Sequence, residues 1–142
     1  MTQAPFPVPR RAGPARARVS GMPSRSLVVK VTAGKDDPER CNQALTVAAT
    51  AVASGLAVAL WLTGEAAWFA LPDRADDVQL PYAVPLGELL ASVLTAGTVT
   101  VCTQCASRRE ITEDDVVTGI RIAGAATFIA EVIADGAQAL VY

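Results

Sequence analysis

Gly55-Leu56-Ala57-Val58-Ala59-Leu60-Trp61-Leu62 is an almost unbroken apolar run of strand length. That is the pattern of a strand covered on both faces. Upstream, Ser26-Leu27-Val28-Val29-Lys30-Val31-Thr32 reads as a first strand, and Pro38 to about Ala53 as the helix between the two. Pro38 suits the first helical turn, and Asp36, Asp37 and Glu39 complement its amino end. The helix stops near Ser54-Gly55. Strand, helix and a doubly buried strand make a βαβ unit with a parallel sheet. The uncharged run from Ala44 to Leu62 has the 19 residues of a membrane span. However, Gly55 splits it into a helical half rich in Ala and Thr and a strand-like half, so no membrane segment is expected.

Downstream, Gly64 to Leu71 reads as a short helix ended by Pro72, and Asp73 to Pro85 as an acidic, proline-bounded loop forming a functional surface or subunit contact. Leu86 to Thr95 carries Leu86, Leu89, Leu90, Val93 and Leu94 on one helical face and ends at Gly97. A strand Gly97–Val101 follows, then a polar turn or helix, Ala106 to Glu110. Thr112-Glu113-Asp114-Asp115 has the pattern of a helix start. Ile120 to Ile122, Ala125 to Ala134 and Ala137 to Tyr142 read as strand, helix and strand. The expectation is a three-layer α/β/α sandwich around a mainly parallel five-stranded sheet.

Apolar residues make up 51% of the 142, aromatics only 5%. This length bounds the chain to one domain. Residues 1–25 hold five arginines, several prolines and no acid, and read as a disordered basic tail. Residues 26–142, the expected domain, carry seven basic and fourteen acidic side chains, a net of −7. That balance offers no broad basic surface, so no nucleic-acid partner is expected. The absence of a recognisable leader and the small number of cysteines point to a reducing cytoplasm.

Two of the three cysteines lie together in Cys102-Thr103-Gln104-Cys105, at the carboxyl end of a strand and the start of a helix. Open α/β sheets place their chemistry there, and a helix amino end favours a thiolate over a thiol. The readings are a nucleophilic thiol carrying a persulfide, a dithiol–disulfide couple, half of a metal site, or two buried small hydrophobes. A zinc site needs four ligands. With no histidine in the chain and Cys41 distant, one subunit offers three thiolates at most, which leaves a zinc site shared between subunits as the form a metal site could take; the leading expectation names no metal and no cofactor. The missing histidine also removes Ser-His-Asp and Cys-His catalysis. Arg108 and Arg109 are candidates to stabilise a thiolate or persulfide anion, and Glu65 a candidate proton acceptor or partner contact. Cys41 reads as a helix-packing residue. Gly34-Lys35 reads as a βα turn rather than a phosphate loop. Trp61, Trp68 and Phe69 read as core or subunit contacts.

Taken together, Leu27 to Thr32 with Asp36-Asp37-Pro38-Glu39-Arg40, Gly55 to Ala66, Cys102 to Arg109 with Ile111 to Asp115, and Gly119 to Ala125 resemble the DsrE/DsrF-like family over about residues 26–142. The resemblance implies a bacterial protein with a five-stranded α/β/α fold, assembled as a homo-oligomer, trimer or hexamer. Some members relay sulfur as a cysteine persulfide between donor and acceptor proteins. The position matching the sulfur-carrying cysteine is Cys102. Cys105 falls where the family's plain carriers have no second cysteine, which makes a resolving thiol or a metal site more plausible here. The leading expectation is sulfur accepted on Cys102 and resolved by Cys105. The alternatives are a non-catalytic oligomer with a structural or metal-binding cysteine pair, or a small-ligand binding module.

Overall fold

A computed structural model describes residues 24–142; the basic tail lies almost wholly outside them. The elements are β1 (Ser26–Val31), α1 (Pro38–Ala53), β2 (Ala57–Leu62), a 3-10 helix (Gly64–Ala70), a 3-10 turn (Ala75–Asp77), α2 (Leu86–Ala96), β3 (Thr98–Cys102), α3 (Thr103–Arg108), β4 (Ile120–Ala123), α4 (Ala125–Val132) and β5 (Ala137–Val141). The five strands form one sheet in the order β4-β3-β2-β1-β5, every pair parallel. The expected three-layer α/β/α architecture is present.

Local chemistry sets the βαβ unit. Asp37 caps α1 by accepting from the Arg40 N–H at 3.2 Å, with Pro38 in the first turn. At the other end Gly55 takes φ +81. The Gly55 N–H then reaches the Val52 carbonyl and the Leu56 N–H the Ala51 carbonyl, a Schellman closure that turns the chain into β2.

Alternation along the strands divides the sheet's two faces. Val29, Val31, Val58, Leu60, Leu62, Val99 and Val101 join Leu45 of α1, Leu86, Leu90 and Val93 of α2, and Phe69 in the main core. Each such side chain contributes roughly 1.5–3 kcal/mol through burial. The opposite face carries α4. There the Phe128 ring meets Trp61 edge-on at 5.3 Å. The Trp61 indole N–H donates to Glu131 at 2.7 Å, Arg121 pairs with Glu131, and Arg121 Nε donates to the fully buried Thr100 hydroxyl at 2.8 Å. This face is therefore a satisfied polar network rather than a second oily core.

Two expectations are corrected. No helix starts at Thr112. Instead the Asp115 carboxylate accepts from both the N–H and the hydroxyl of Thr112, at 2.8 and 2.7 Å, closing a single turn. The chain cannot continue as a helix because the Val117 N–H is already bonded to the Ala70 carbonyl at 2.8 Å. The stretch Asp73–Pro85 is not structureless: it holds the 3-10 turn, and Ala75 and Val78 are buried in the main core. Among the described residues no helix is long and apolar enough to cross a membrane.

Candidate functional site at the carboxyl end of β3

β3 delivers Cys102 to the edge of the sheet. Cys102 occupies the N-cap position of α3 with extended backbone and no side-chain cap bond. It is half-buried. Burial pushes the thiol up. The polar hydrogens of Cys105 and Gln104 at the start of α3, with the positive charge of Lys30, outweigh that and bring it below the ordinary thiol range. Cys105, one helical turn on, is 8% exposed, and its sulfur accepts the Gly64 N–H at 3.1 Å. The structure thus places the two thiols one helical turn apart, one reachable and one shielded. Both are unbridged.

Gly64 is the hinge of this arrangement. Its φ is +53, and a Cβ there would lie 2.7 Å from the Thr32 carbonyl oxygen. The loops after β1 and β2 are held together by Thr63 N–H to Val31, Thr63 hydroxyl to Val31, and Glu65 N–H to Thr32. That framework aims the Gly64 N–H at Cys105.

Arg109 is directed to Glu65 rather than to either sulfur. It pairs with Glu65 at 2.5 Å, donates to the Cys105 carbonyl at 3.2 Å, and stacks 5.7 Å from the Trp68 ring centre. The pair thereby clasps α3 to the 3-10 helix after β2. Glu110 takes φ +55, letting the Ile111 N–H return to the Ala106 carbonyl at 3.0 Å and closing α3 behind Arg109. Arg108 is exposed in the last turn of α3. Beyond Glu65 opens a cleft of about 240 Å³ lined by Lys35, Glu65, Trp68, Phe69 and Arg74. It falls below the roughly 300–1,000 Å³ of ordinary cofactor pockets.

The other singled-out residues lie elsewhere. Cys41 is fully buried in α1, and burial with the charges of Asp36 and Asp37 pushes its thiol up to about 12. Gly34 and Lys35 form the βα turn, with Lys35 paired to Asp77 at 2.7 Å. Trp61 and Phe69 are buried and Trp68 is half-buried. Among the described residues no group of three or more His, Cys, Asp or Glu could hold a metal ion. Two contributors had escaped the sequence reading. The Gly64 N–H carries no side-chain signal. Lys30 does carry one, as the lone charge in the apolar run of β1.

The sequence model of the DsrE/DsrF-like family matches residues 25–142. The chain belongs to the DsrE/DsrF-like family. Among curated proteins, this family member is 31% identical over 104 residues to the uncharacterized protein MJ0760 of Methanocaldococcus jannaschii, a match covering 72% of this chain and 38% of that one. The chain thus spans well under half the length of that relative. Among solved structures, the ychN protein from E. coli superposes with a TM-score of 0.70 at 16% identity, over 83% of this chain and 99% of that one. MTH1491 from Methanobacterium thermoautotrophicum gives 0.58 at 8% identity, over 83% and 99%. At such identities the likeness is one of fold.

Proposed function

We propose that this DsrE-like protein is a cysteine-based sulfur carrier, with Cys102 as the accepting thiol and Cys105 as the resolving one. The observation that carries the reading is the pair itself: a half-exposed Cys102 held below the ordinary thiol range, with Cys105 against it and almost sealed from solvent. The Cys102 thiolate attacks the terminal sulfur of a donor persulfide. One S–S bond forms, the donor's breaks, and the donor leaves as its thiolate. In relay, an acceptor protein's thiolate takes the outer sulfur and Cys102 returns to thiolate. In resolution, Cys105 loses its proton and attacks the inner sulfur of Cys102, releasing hydrosulfide and leaving a disulfide that an external dithiol reduces. Arg109 and Glu65 hold Cys105 for that attack, and Arg108 is free to meet an acidic partner protein.

Assembly into a homo-oligomer, trimer or hexamer, belongs to the same reading. All residues of α4 except Thr127 and Glu131 are apolar, yet none is buried. Ile129 is 51% and Ile133 73% exposed, and β5 beside it leaves Leu140 and Val141 open. An exposed helix face this apolar is ordinarily covered, and a second copy of this chain would cover it.

The test is sulfide release after loading with polysulfide. Cys105→Ser should load as wild type does but retain its sulfur when no acceptor is present, whereas Cys102→Ser should not load. Equal release from wild type and Cys105→Ser would overturn the resolving role.

A further inference from the structure

On the sheet face beneath α4, Lys30 has no carboxylate partner among the described residues. Lys30 is half-buried between Val29 and Val31, its Nζ 5.1 Å from the centre of the Phe128 ring. The register sets Lys30 opposite Trp61 and Trp61 opposite Thr100, two residues before Cys102. Alternation therefore puts Lys30, Trp61, Thr100 and Cys102 on the same face. With strands ~4.8 Å apart and ~3.3 Å per residue, the Cα atoms of Lys30 and Cys102 lie about 12 Å apart. The two side chains together cross much of that gap.

The remaining charges nearby satisfy one another. Arg121 of β4 is engaged by Glu131 of α4 and by Thr100, and Glu131 also accepts from Trp61. Glu65 and Arg109 hold each other, and the Cys105 thiol, one helical turn on in α3, is the titratable group that follows Cys102. Among the described residues no carboxylate pairs with Lys30. A half-buried ammonium held over an aromatic ring and paired with no carboxylate keeps its charge available to a nearby anion.

We propose that Lys30 is the counter-ion of the Cys102 anion, the thiolate before sulfur is accepted and the persulfide afterwards. The persulfide half rests on the sulfur-carrier reading; the thiolate half does not. Lys30 is a positioning residue here: it stabilises charge and takes no part in bond exchange.

The test is the pH dependence of Cys102 alkylation by iodoacetamide in the full chain, read on the Cys102 peptide by mass spectrometry. Lys30→Met should move the midpoint up by about half a unit to one unit, slowing alkylation at pH 7 about three- to tenfold. Lys30→Arg should restore most of the rate, and all variants should share one plateau at high pH. A merely structural role would not move the midpoint while leaving the plateau intact. Superimposed profiles for wild type and Lys30→Met would overturn the proposal. If the Met variant does not fold, Lys30→Gln, which keeps a polar tip, serves in its place. Polysulfide loading separates the two claims: no sulfur on either wild type or Cys105→Ser refutes the carrier reading, whereas loading of either with unmoved midpoints refutes Lys30 alone.

Discussion

Adding one methyl group at Gly64 should unfasten the site and weaken the fold together. Gly64 adopts φ +53, and a Cβ there would stand 2.7 Å from the Thr32 carbonyl oxygen, a backbone atom that cannot swing aside. The left-handed conformation alone costs an L-residue roughly 1–2 kcal/mol. Relieving the overlap by shifting backbone adds about 1–3 kcal/mol. Gly64→Ala should therefore cost about 2–5 kcal/mol. Gly55→Ala is the internal control: Gly55 has φ +81 but nothing within 4 Å of its would-be Cβ, so it should lose only the conformational share. In urea, at one protein concentration and with a slope of about 1.5 kcal/mol/M, the midpoint should fall by roughly 2 M for Gly64→Ala and about 1 M for Gly55→Ala. A second readout ties this to the site. Gly64 donates to the Cys105 sulfur, so native-state alkylation of Cys105 should rise in Gly64→Ala and not in Gly55→Ala. Equal midpoints for the two variants, with Cys105 still protected in both, would refute the reasoning.

Further expectations follow from individual groups. The Cys41 thiol is raised to about 12 in the fold, so the unfolded chain releases this proton first and stability falls as pH climbs from about 9 toward 12, by about 3 kcal/mol at pH 11. Cys41→Ala should flatten that decline in urea midpoints measured from pH 8 to 11, and parallel declines would contradict it. Arg109, whose side chain is 14% exposed, loses an ion pair, a carbonyl bond and a ring contact on truncation, so Arg109→Ala should cost about 2–3 kcal/mol. Glu65→Gln, which keeps a hydrogen-bond acceptor, should cost less in the same denaturation assay; the reverse order would contradict the clasp. Ile133→Glu should lower the mass of the assembly measured by light scattering on a sizing column, and an unchanged oligomer would remove α4 from the interface.

The parts of this fold carried by local signals were legible in the sequence. Asp37-Pro38 and Ser54-Gly55 mark both ends of α1, and the apolar runs of β1 and β2 announce a parallel sheet, because capping and burial act on consecutive residues. The cysteine pair was legible for the same reason: β3 and α3 adjoin along the chain. Contacts that depend on distant partners were not. The Thr112–Asp115 cap chemistry is real, yet Val117 is committed to Ala70 of another segment, and a tertiary bond overrides a local helix signal. Arg109 was expected near the sulfur because it follows Cys105 closely; Glu65, 44 residues earlier, engages it instead. Lys30 acquires meaning only when the register sets it on the face of Cys102 two strands away.

Intact-protein mass spectrometry after incubation with polysulfide tests the central claim most directly, run on wild type, Cys102→Ser and Cys105→Ser. The account requires an added sulfur atom, about 32 Da, on wild type or, if resolution is fast, on Cys105→Ser, and none on Cys102→Ser. An adduct that persists without Cys102, or no adduct on any of the three, would contradict it.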